Sequence, residues 1–259
     1  MAEREGLLAR YAELTARARG GSFCHTAFLT PAELLLFARA SARMSAHTVT
    51  WGGYAGAERQ RVFFLPDYAA EAEPDVRQAM LAEEYAAAVV PVRVEGSGYR
   101  ELTHRDFLGA VLGLGVERDA LGDLLVLSPH EAVFFTSATL AAFFAEHLTT
   151  VGADTVHAAP VSLPPDFDGG IRTATLTGTV PSPRADAVVA ELCGLSREQA
   201  REMIVAGLVA VDYEPEKKPD RPLAAGQVVT VRGRGKFTLL SLTEPTKKGR
   251  LRLVAEKRL

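Results

Sequence analysis

The sequence predicts an α+β protein of several domains, and three observations lead to this fold class. The chain of 259 residues is long enough for two or three small domains. Helical and strand-like hydrophobic periods alternate along it, separated by stretches rich in Gly, Pro and Asp. Basic residues are concentrated towards its end. We therefore predict an N-terminal α/β domain at residues 1–79, a central domain at 80–168 and a C-terminal domain at 178–259, with a loop or linker at 164–170.

The N-terminal segment carries signals for two helices and a short strand. Apolar residues recur at helical spacing over residues 3–19, and a glycine pair ends this run. Thr30 and Glu33 have the spacing of a capping box, with a proline between them, and predict the start of a second helix. A glycine-rich turn is then expected before a strand at Val62–Leu65.

The central segment shows six elements in the order strand, helix, strand, strand, helix, strand. In chain order they are "AAAVVPVRVEG", "THRDFLGAVLGLG", "GDLLVLS", "EAVFFTS", "SATLAAFFAEHL" and "DTVHAAPVSL". This βαββαβ order is that of ferredoxin-like and RNA-recognition-motif (RRM-like) domains. Thr103 and Asp106 have capping-box spacing at the start of the first of these helices.

The aromatic residues of this segment do not match the pattern of a base-stacking sheet. Phe134 and Phe135 are adjacent in a predicted strand, so their side chains point to opposite faces and at least one belongs to the core. The aromatic RNP1 consensus of single-strand-binding RRM domains is missing. We therefore expect the central domain to serve in packing or docking.

The C-terminal segment predicts two short helices followed by strands. The first helix starts near Arg184 and ends at Gly194, and Ser196 with Gln199 forms a capping box for the second. Gly207 supplies the positive φ that ends the second helix. The predicted strands are "TATLTGTV" before the helices and "LVAVDY", "QVVTVRG", "KFTLLSL" and "GRLRLVAE" after them.

Charge is distributed unevenly between the two parts of the chain. Residues 178–259 hold 15 Lys+Arg against 10 Asp+Glu, a balance of +5, whereas residues 1–177 hold 14 against 22, a balance of −8. All lysines lie in the basic part, at Lys217, Lys218, Lys236, Lys247, Lys248 and Lys257. Such asymmetry is typical of a nucleic-acid-binding module attached to an acidic body, although a basic segment can equally be a solvated surface.

The second C-terminal helix offers a more specific basic feature. Arg197 and Arg201 are four residues apart on one helix face, where like charges repel by about 0.2–0.5 kcal/mol. A face that contacts phosphate would explain this pair, whereas neutralisation by Glu198 and Glu202 would make the helix merely amphipathic. Charge alone leaves both interpretations open.

The C-terminal segment contains a series of residues at fixed spacings. They are Arg184-x-Asp186, Ser196-Arg197-x-x-Ala200, Ile204-x-x-Gly207-x-Val209-x-Val211 and Gly226 before a β-run. This series resembles the S4 (αL-type) RNA-binding domain, in which two short helices and the adjoining turn bind structured ribosomal or transfer RNA. "VRGRGKF" (231–237) and the upstream stretches "GGYAGAERQRVFFLPDY" and "LTHRDFLGAVLGLGVERDALGDLLV" make the chain similar to the YlmH-type family of bacterial S4 proteins.

That resemblance implies a non-catalytic protein that binds the large ribosomal subunit, particularly subunits carrying an obstructed peptidyl-tRNA, in ribosome-associated quality control. It implies rRNA and tRNA as partners, a monomeric chain, and no binding to DNA or membranes. A link to cell division has also been proposed for the family. No cofactor is expected.

The candidate RNA-binding residues are basic or polar side chains of the C-terminal domain, because structured RNA is read mainly through its phosphates, 2′-hydroxyls and shape. They are Arg184, Ser196, Arg197, Arg201, Lys217, Lys218, Arg232, Arg234, Lys236, Arg250 and Arg252. Arg232, Arg234 and Lys236 are expected on a glycine-rich turn, and period-two alternation would place Arg250 and Arg252 on one strand face. His104 and Arg105 are further candidates for a ribosome contact.

Catalytic signals are weak throughout the sequence. His104–Asp106 spells the protein-kinase triplet His-Arg-Asp, but the other kinase motifs are missing, and the triplet instead opens a helix whose dipole favours Asp106. The histidines are scattered, and no His/Cys/Asp set has metal-ligand spacing. We therefore predict no catalytic residues and no metal site.

Two alternative functions stay open from the sequence. An S4-bearing RNA-modifying enzyme, such as a pseudouridine synthase or an rRNA methyltransferase, would need a catalytic Asp in a Gly-Arg-Leu-Asp context or a glycine-rich nucleoside loop, and neither motif occurs. An S4-anchored protein-docking scaffold linked to cell division would use the first two domains as its binding surface.

Three features indicate a cytoplasmic location. No apolar run approaches the length needed to span a bilayer. The N-terminal stretch "MAEREGLLARYAEL" lacks the apolar region of a secretory signal. Cys24 and Cys193 are too few for a disulfide framework, which fits a reducing compartment.

Overall fold

The structure is a computed structural model that describes residues 2–41, 46–170, 172–245 and 249–258. Lys247 and Lys248 therefore lie outside the described residues. The chain divides into two compact units, residues 1–170 and 171–259, and each is described separately below. Within the described ranges, no helix is long and apolar enough to cross a membrane.

The first unit contains six helices, eight strands and a 3₁₀ turn within its described residues. They are α1 (Ala2–Arg19), β1 (Cys24–His25), α2 (Pro31–Ser41), β2 (His47–Trp51), β3 (Arg61–Leu65), α3 (Asp67–Ala70), α4 (Pro74–Ala88), β4 (Val90–Gly96), α5 (His104–Gly113), the 3₁₀ turn (Arg118–Ala120), β5 (Leu124–Ser128), β6 (Glu131–Thr136), α6 (Ala138–His147), β7 (Thr150–Val151) and β8 (Asp154–Pro160). The second unit contains β9 (Thr173–Val180), α7 (Ala185–Cys193), α8 (Arg197–Val205), β10 (Val209–Val211), β11 (Glu214–Pro215), β12 (Val228–Val231), β13 (Gly235–Pro245) and β14 (Leu251–Arg258).

A three-stranded antiparallel sheet of order β1-β3-β2 forms the start of the first unit. All five residues of its central strand β3 are buried, and Phe64 packs in a core with Tyr11 and Phe37 from α1 and α2. The predicted capping box of α2 is confirmed, since the Thr30 amide donates to Glu33 Oε2 at 2.6 Å. The apolar faces of both helices thus cover one side of this small sheet.

Helix α4 is a difference from the sequence prediction. Ala86–Ala88, which the sequence analysis assigned to a strand, form the last turn of α4, and β4 begins only at Val90. Pro74 occupies the first turn of α4, and alanines with strong helix propensity extend it to its end. The predicted boundary between residues 79 and 80 lies inside this helix.

The second sheet of the first unit has the order β5-β6-β4-β8-β7, with every neighbouring pair antiparallel. Phe134 of β6 packs edge-on against Phe144 of α6, at 5.0 Å between ring centroids, in the core under the helices. The capping box at the start of α5 is confirmed, with the Thr103 amide donating to Asp106 Oδ2 at 2.8 Å. Hydrogen bonds from Thr103 lower the pKa of Asp106.

Part of the opposite face of this sheet is also covered. Phe135 is fully buried, and the ring of Tyr54 stacks on it at 5.3 Å between centroids. Gly53 has a φ of +103°, and a Cβ there would lie 2.2 Å from the Phe135 ring, so only glycine fits this close approach. Both phenylalanines are therefore core residues, and Phe135 is not available for stacking on RNA bases.

The buried carboxylate of Asp123 joins the segment 54–59, which includes Tyr54, to the sheet by hydrogen bonds. It accepts hydrogen bonds from the Tyr54 hydroxyl at 2.8 Å and from the amides of Glu58 and Arg59 at 2.7 and 3.0 Å. Arg59 Nε in turn donates to the carbonyl of Leu121 at 3.0 Å. The N-terminal and central segments thus share buried polar contacts within one unit.

Replacing Asp123 with Ala is expected to lower the free energy of unfolding of the first unit by about 2–4 kcal/mol, because three donors lose their buried acceptor. Chemical denaturation measures this change, with Glu83→Ala on the exposed face of α4 as the control. Equal stability of the two variants would contradict the role assigned to Asp123.

The second unit is built on a six-stranded antiparallel sheet of order β11-β10-β12-β13-β14-β9. Its first strand β9 pairs with its last strand β14 over eight residues, from Thr173 opposite Arg258 to Val180 opposite Leu251. Helices α7 and α8 contribute to a core shared with this sheet, in which Val188 and Ile204 are fully buried. Both helices therefore pack on this sheet through a shared core.

Candidate nucleic-acid interface

The turn between α7 and α8 is defined by local sequence. Gly194 ends α7 in the left-handed conformation, with a φ of +63°. The Ser196 amide donates to Gln199 Oε1 at 3.0 Å, and the Gln199 amide donates to Ser196 Oγ at 3.2 Å, so the predicted capping box is confirmed. The Ser196 hydroxyl thus has a structural role at the start of α8.

One buried carboxylate organises the arginines predicted to bind RNA. Asp186 lies in the first turn of α7, and its side chain is only 6 % exposed. Arg184 donates to it from Nε and Nη2 at 3.2 and 3.1 Å, and Arg197 donates from Nη2 at 2.8 Å. Asp186 therefore links the start of α7 to the start of α8.

The ionisation of Asp186 follows from these contacts. Burial alone raises the pKa of Asp186, but the hydrogen bonds from Arg184 and Arg197 outweigh it, so its pKa lies below the ordinary value. The carboxylate therefore stays charged at neutral pH. It neutralises one of the two guanidinium charges and leaves the pair with a net charge of +1.

Both arginines keep an exposed edge. The side chains of Arg184 and Arg197 are 43 % and 53 % exposed. Within the described part of the chain, Nη1 of Arg184 and both Nε and Nη1 of Arg197 make no hydrogen bond. These donors can form the bidentate contacts with phosphate that the guanidinium group favours.

An open groove of about 500 Å³ lies beside this cluster. Its lining includes Arg184, Asp186, Arg197, Glu198, Arg201, Pro219 and Asp220. Arg201 is exposed and makes no ion pair with any described residue, although Glu198 lies in the same groove. The structure thus brings the three predicted arginines of the helix pair to one surface, which they share with the carboxylates of Asp186, Glu198 and Asp220.

Two further depressions adjoin this groove. Arg197 also lines one that contains Arg250, and Asp220 also lines one that contains Lys218 and Arg221. The three depressions together, from Arg250 to Lys218, are called the basic track below. The cationic side chains of the track are Arg184, Arg197, Arg201, Lys218, Arg221 and Arg250, and its carboxylates are Asp186, Glu191, Glu198, Glu216 and Asp220.

The loop carrying Lys217 and Lys218 is fixed by a second buried carboxylate. Glu216 accepts hydrogen bonds from the amides of Lys217 and Lys218 at 2.9 and 2.7 Å and from Arg221 Nη1 at 2.6 Å. Burial raises the pKa of Glu216, but these bonds outweigh it and the pKa is lowered. Both lysine side chains are left exposed.

The remaining predicted residues of the second unit lie on other parts of its surface. Arg232 and Arg234 are exposed on the glycine-rich turn that joins β12 to β13. Lys236 follows in β13, with its Nζ 4.5 Å from the centroid of the Tyr213 ring. Arg252 is exposed on β14.

The prediction that Arg250 lies in the same strand as Arg252 is wrong. Strand β14 begins at Leu251, so Arg250 precedes it. The Arg250 guanidinium donates to the carbonyl and the hydroxyl of Thr179 at 2.6 and 3.0 Å. These bonds hold Arg250 at Thr179, which pairs with Arg252 of β14, and both Arg250 and Thr179 line the basic track.

Sequence reasoning missed the residues that position the basic groups. Asp186 was recognised only as part of a motif, and neither Glu216 nor Arg221 was selected. The spacing Arg184-x-Asp186 was the available signal, because a carboxylate two residues after an arginine can accept its guanidinium. No local signal identified Glu216, whose burial depends on the folded loop.

The two candidates in the first unit occupy a different place. His104 and Arg105 are exposed in the first turn of α5. Among the described residues, no group of three or more His, Cys, Asp or Glu side chains could hold a metal ion.

Comparison with known proteins identifies the domains. The family model "YlmH, N-terminal" matches residues 3–69, "Putative RNA-binding domain in YlmH" matches residues 82–164, and "S4 domain" matches residues 184–229. The chain is therefore a protein with a C-terminal S4 domain, and that domain contains the Asp186 cluster.

A relative that aligns over most of the chain shows which family of S4 proteins it belongs to. The chain is 30 % identical over 236 residues to "Ribosome-associated protein quality control protein P2" of Bacillus subtilis (strain 168), an alignment covering 90 % of this chain and 86 % of the relative. The chain belongs to the YlmH-type family of S4 proteins.

A solved structure is also similar. "Cell division protein ylmH from Streptococcus pneumoniae" aligns with a TM-score of 0.49 and 20 % identity, covering 62 % of this chain and 93 % of that one.

Replacing Asp186 with Asn is expected to lower the free energy of unfolding of the second unit at pH 7 by about 1–3 kcal/mol, because three charge-assisted hydrogen bonds lose their ionised acceptor. The pKa of Asp186 is lowered by folding, so its contribution is present above the unfolded pKa of about 3.9 and is lost as pH falls through the folded pKa. The difference between wild type and variant should therefore shrink below about pH 4.

Denaturation curves at pH 7 and at acidic pH measure this difference. Asp220→Asn is the control, because Asp220 lines the same groove but is exposed and accepts no hydrogen bond from the described residues. An Asp186→Asn variant as stable as Asp220→Asn at pH 7 would contradict the assignment.

Proposed function

We propose that this protein binds structured rRNA or tRNA on the large ribosomal subunit without catalysing a reaction. The observation that carries the proposal is the groove in which Asp186 holds Arg184 and Arg197 beside Arg201. Three guanidinium groups on one surface, partly positioned before binding, suit the phosphates of a folded RNA. Because folded RNA is recognised by backbone and shape, the groove needs no base-reading side chain.

The wider basic track supports the same ligand. Lys218 lies in a depression adjoining the arginine groove, with its loop held by Glu216, and Lys217 is exposed on the same loop. Arg232, Arg234, Lys236 and Arg252 are proposed as additional contacts outside the track. Preformed loops and helix ends lower the entropic cost of binding.

We propose ribosome-associated quality control as the process, and obstructed peptidyl-tRNA complexes on the large subunit as the target. The name of the Bacillus subtilis relative supports this step, since it describes a ribosome-associated quality control protein. The location that follows is the cytoplasm. His104 and Arg105 are proposed as a ribosome contact from the first unit, and the protein is proposed to act as a monomer.

We also propose the finer domain division, with an N-terminal α/β domain at 1–79, a ferredoxin-like or RRM-like domain at 80–168 and the S4 domain with its β extension at 178–259. Helix α4 then spans the boundary between the first two domains and joins them. The strand order β5-β6-β4-β8 and the helices α5 and α6 support the ferredoxin-like assignment. Because Phe135 is buried under Tyr54, this domain would not bind RNA as a typical RRM sheet does.

Replacing Arg184, Arg197 and Arg201 together with Ala is expected to weaken binding to folded rRNA or tRNA fragments. Each phosphate contact releases about one counterion on binding, so the loss of three contacts should make the slope of log K against log salt shallower by about 2–3 units. Filter binding or fluorescence anisotropy over a salt series measures both quantities.

The control replaces Arg10, Arg17 and Arg39 with Ala, which removes the same charge from exposed positions of the first unit. If only the net charge of the protein mattered, the salt slope would change equally in both variants. The proposal instead predicts a larger change in slope for the variant that lacks Arg184, Arg197 and Arg201. An unchanged slope for the S4 variant would remove these arginines from the interface.

A further inference from the structure

A single aromatic side chain projects from the loop between β4 and α5 of the first unit. Tyr99 is 79 % exposed, the highest value among the exposed large hydrophobic side chains of the described residues. Because an exposed ring buries almost no apolar surface, Tyr99 contributes little to the stability of the fold. Its position is therefore a candidate for a role in binding.

The loop that carries Tyr99 is held firmly at both ends. The Ser97 amide donates to the Thr155 carbonyl at 2.9 Å, and the Ser97 hydroxyl donates to the fully buried Asp154. At the other end, the Leu102 amide donates to the Pro129 carbonyl at 2.7 Å, and the Leu102 side chain is buried. Because these contacts already order the ends of the loop, a ligand that binds the Tyr99 ring would not have to order them, and the entropic cost of binding is lower.

The surroundings of Tyr99 are polar. Residues 97–101 are all exposed, and apart from Tyr99 they are Ser, Gly, Arg and Glu. His130 Nδ1 donates to the Arg100 carbonyl at 3.1 Å, and the Arg100 guanidinium lies 3.4 Å from Asp106. Protein-docking surfaces usually gather several apolar side chains, whereas a single ring among polar groups suits an unpaired nucleobase, which stacks on aromatic side chains.

Charges around this loop nearly balance, because Glu101 and Asp106 oppose Arg100 and Arg105. A ligand held here would therefore gain affinity mainly from stacking and little from counterion release. This expected binding by stacking differs from the binding proposed for the basic track of the second unit, which relies on phosphate contacts.

We propose that Tyr99 is the stacking residue of a second RNA-binding site, which takes an unpaired nucleobase. The inference rests on the proposed RNA-binding function and adds a ligand class to it, namely single-stranded RNA. The buried state of Phe135 supports this assignment, because the sheet position where an RRM-like domain would stack a base is closed by Tyr54. Tyr99 provides an aromatic face outside the sheet.

The test uses the full chain and two RNAs, an unstructured strand and a blunt duplex of the same length. Tyr99→Ala is expected to weaken binding to the unstructured strand about 5- to 100-fold, the range measured for loss of one stacked base. Binding to the duplex should not change, and neither should the salt slope for either RNA. Tyr99→Phe should keep the wild-type affinity, because stacking needs the ring and not the hydroxyl.

Tyr68→Ala is the matched control, since Tyr68 is 54 % exposed in the same unit but lies in α3. A 2-aminopurine base in the single strand gives a direct readout, with fluorescence quenched by wild type and Tyr99→Phe but not by Tyr99→Ala. The inference would be overturned if Tyr99→Ala bound the single strand as tightly as wild type, or if it lost equal affinity for duplex and single strand. It would also be overturned if Tyr99→Phe bound the single strand as weakly as Tyr99→Ala. Failure of the proposed function would instead appear as an unchanged salt slope in the Arg184, Arg197 and Arg201 variant.

Discussion

The hydrogen bonds between Asp186 and two arginines are the interaction on which the proposed interface depends. A carboxylate that is only 6 % exposed is costly to desolvate, and it is tolerated because Arg184 and Arg197 supply charged donors. Asp186 belongs to α7 and Arg197 to α8, so the same contact fixes the relation of the two helices. The exposed edges of both guanidinium groups are then held in place before any RNA arrives.

The two units solve the problem of presenting binding groups in different ways. In the second unit, the buried carboxylates Asp186 and Glu216 lie beneath exposed cations and limit their conformational freedom. In the first unit, the sheet aromatic Phe135 packs against Tyr54 and is buried. Surface charge in that unit is mixed, and its exposed ring at Tyr99 lies on an anchored loop.

Local signals predicted much of the fold. The capping boxes at Thr30, Thr103 and Ser196 all form, because their partners lie three residues away and need no tertiary context. The end of helix α4 was missed because its alanine-rich last turn runs directly into the apolar residues of β4. Pro91 was the available local signal for the boundary, because the residue before a proline disfavours helical backbone.

The candidate site was predictable only in part. Arg184, Arg197 and Arg201 could be selected from spacing and resemblance, and the structure brings them to one groove. The direction of Arg250 could not be predicted, because it depends on hydrogen bonds to Thr179, 71 residues away in sequence. Long-range contacts of this kind leave no trace in the local pattern.

Crosslinking of the full chain to RNA in living cells, with the crosslinked peptides and nucleotides both mapped, tests the central claim most directly. The account predicts crosslinks from peptides that span the α7–α8 turn and the Lys217–Lys218 loop to folded rRNA or tRNA of the large ribosomal subunit. Crosslinks confined to other surfaces of the protein, or an absence of ribosomal and transfer RNA among the crosslinked nucleotides, would contradict it.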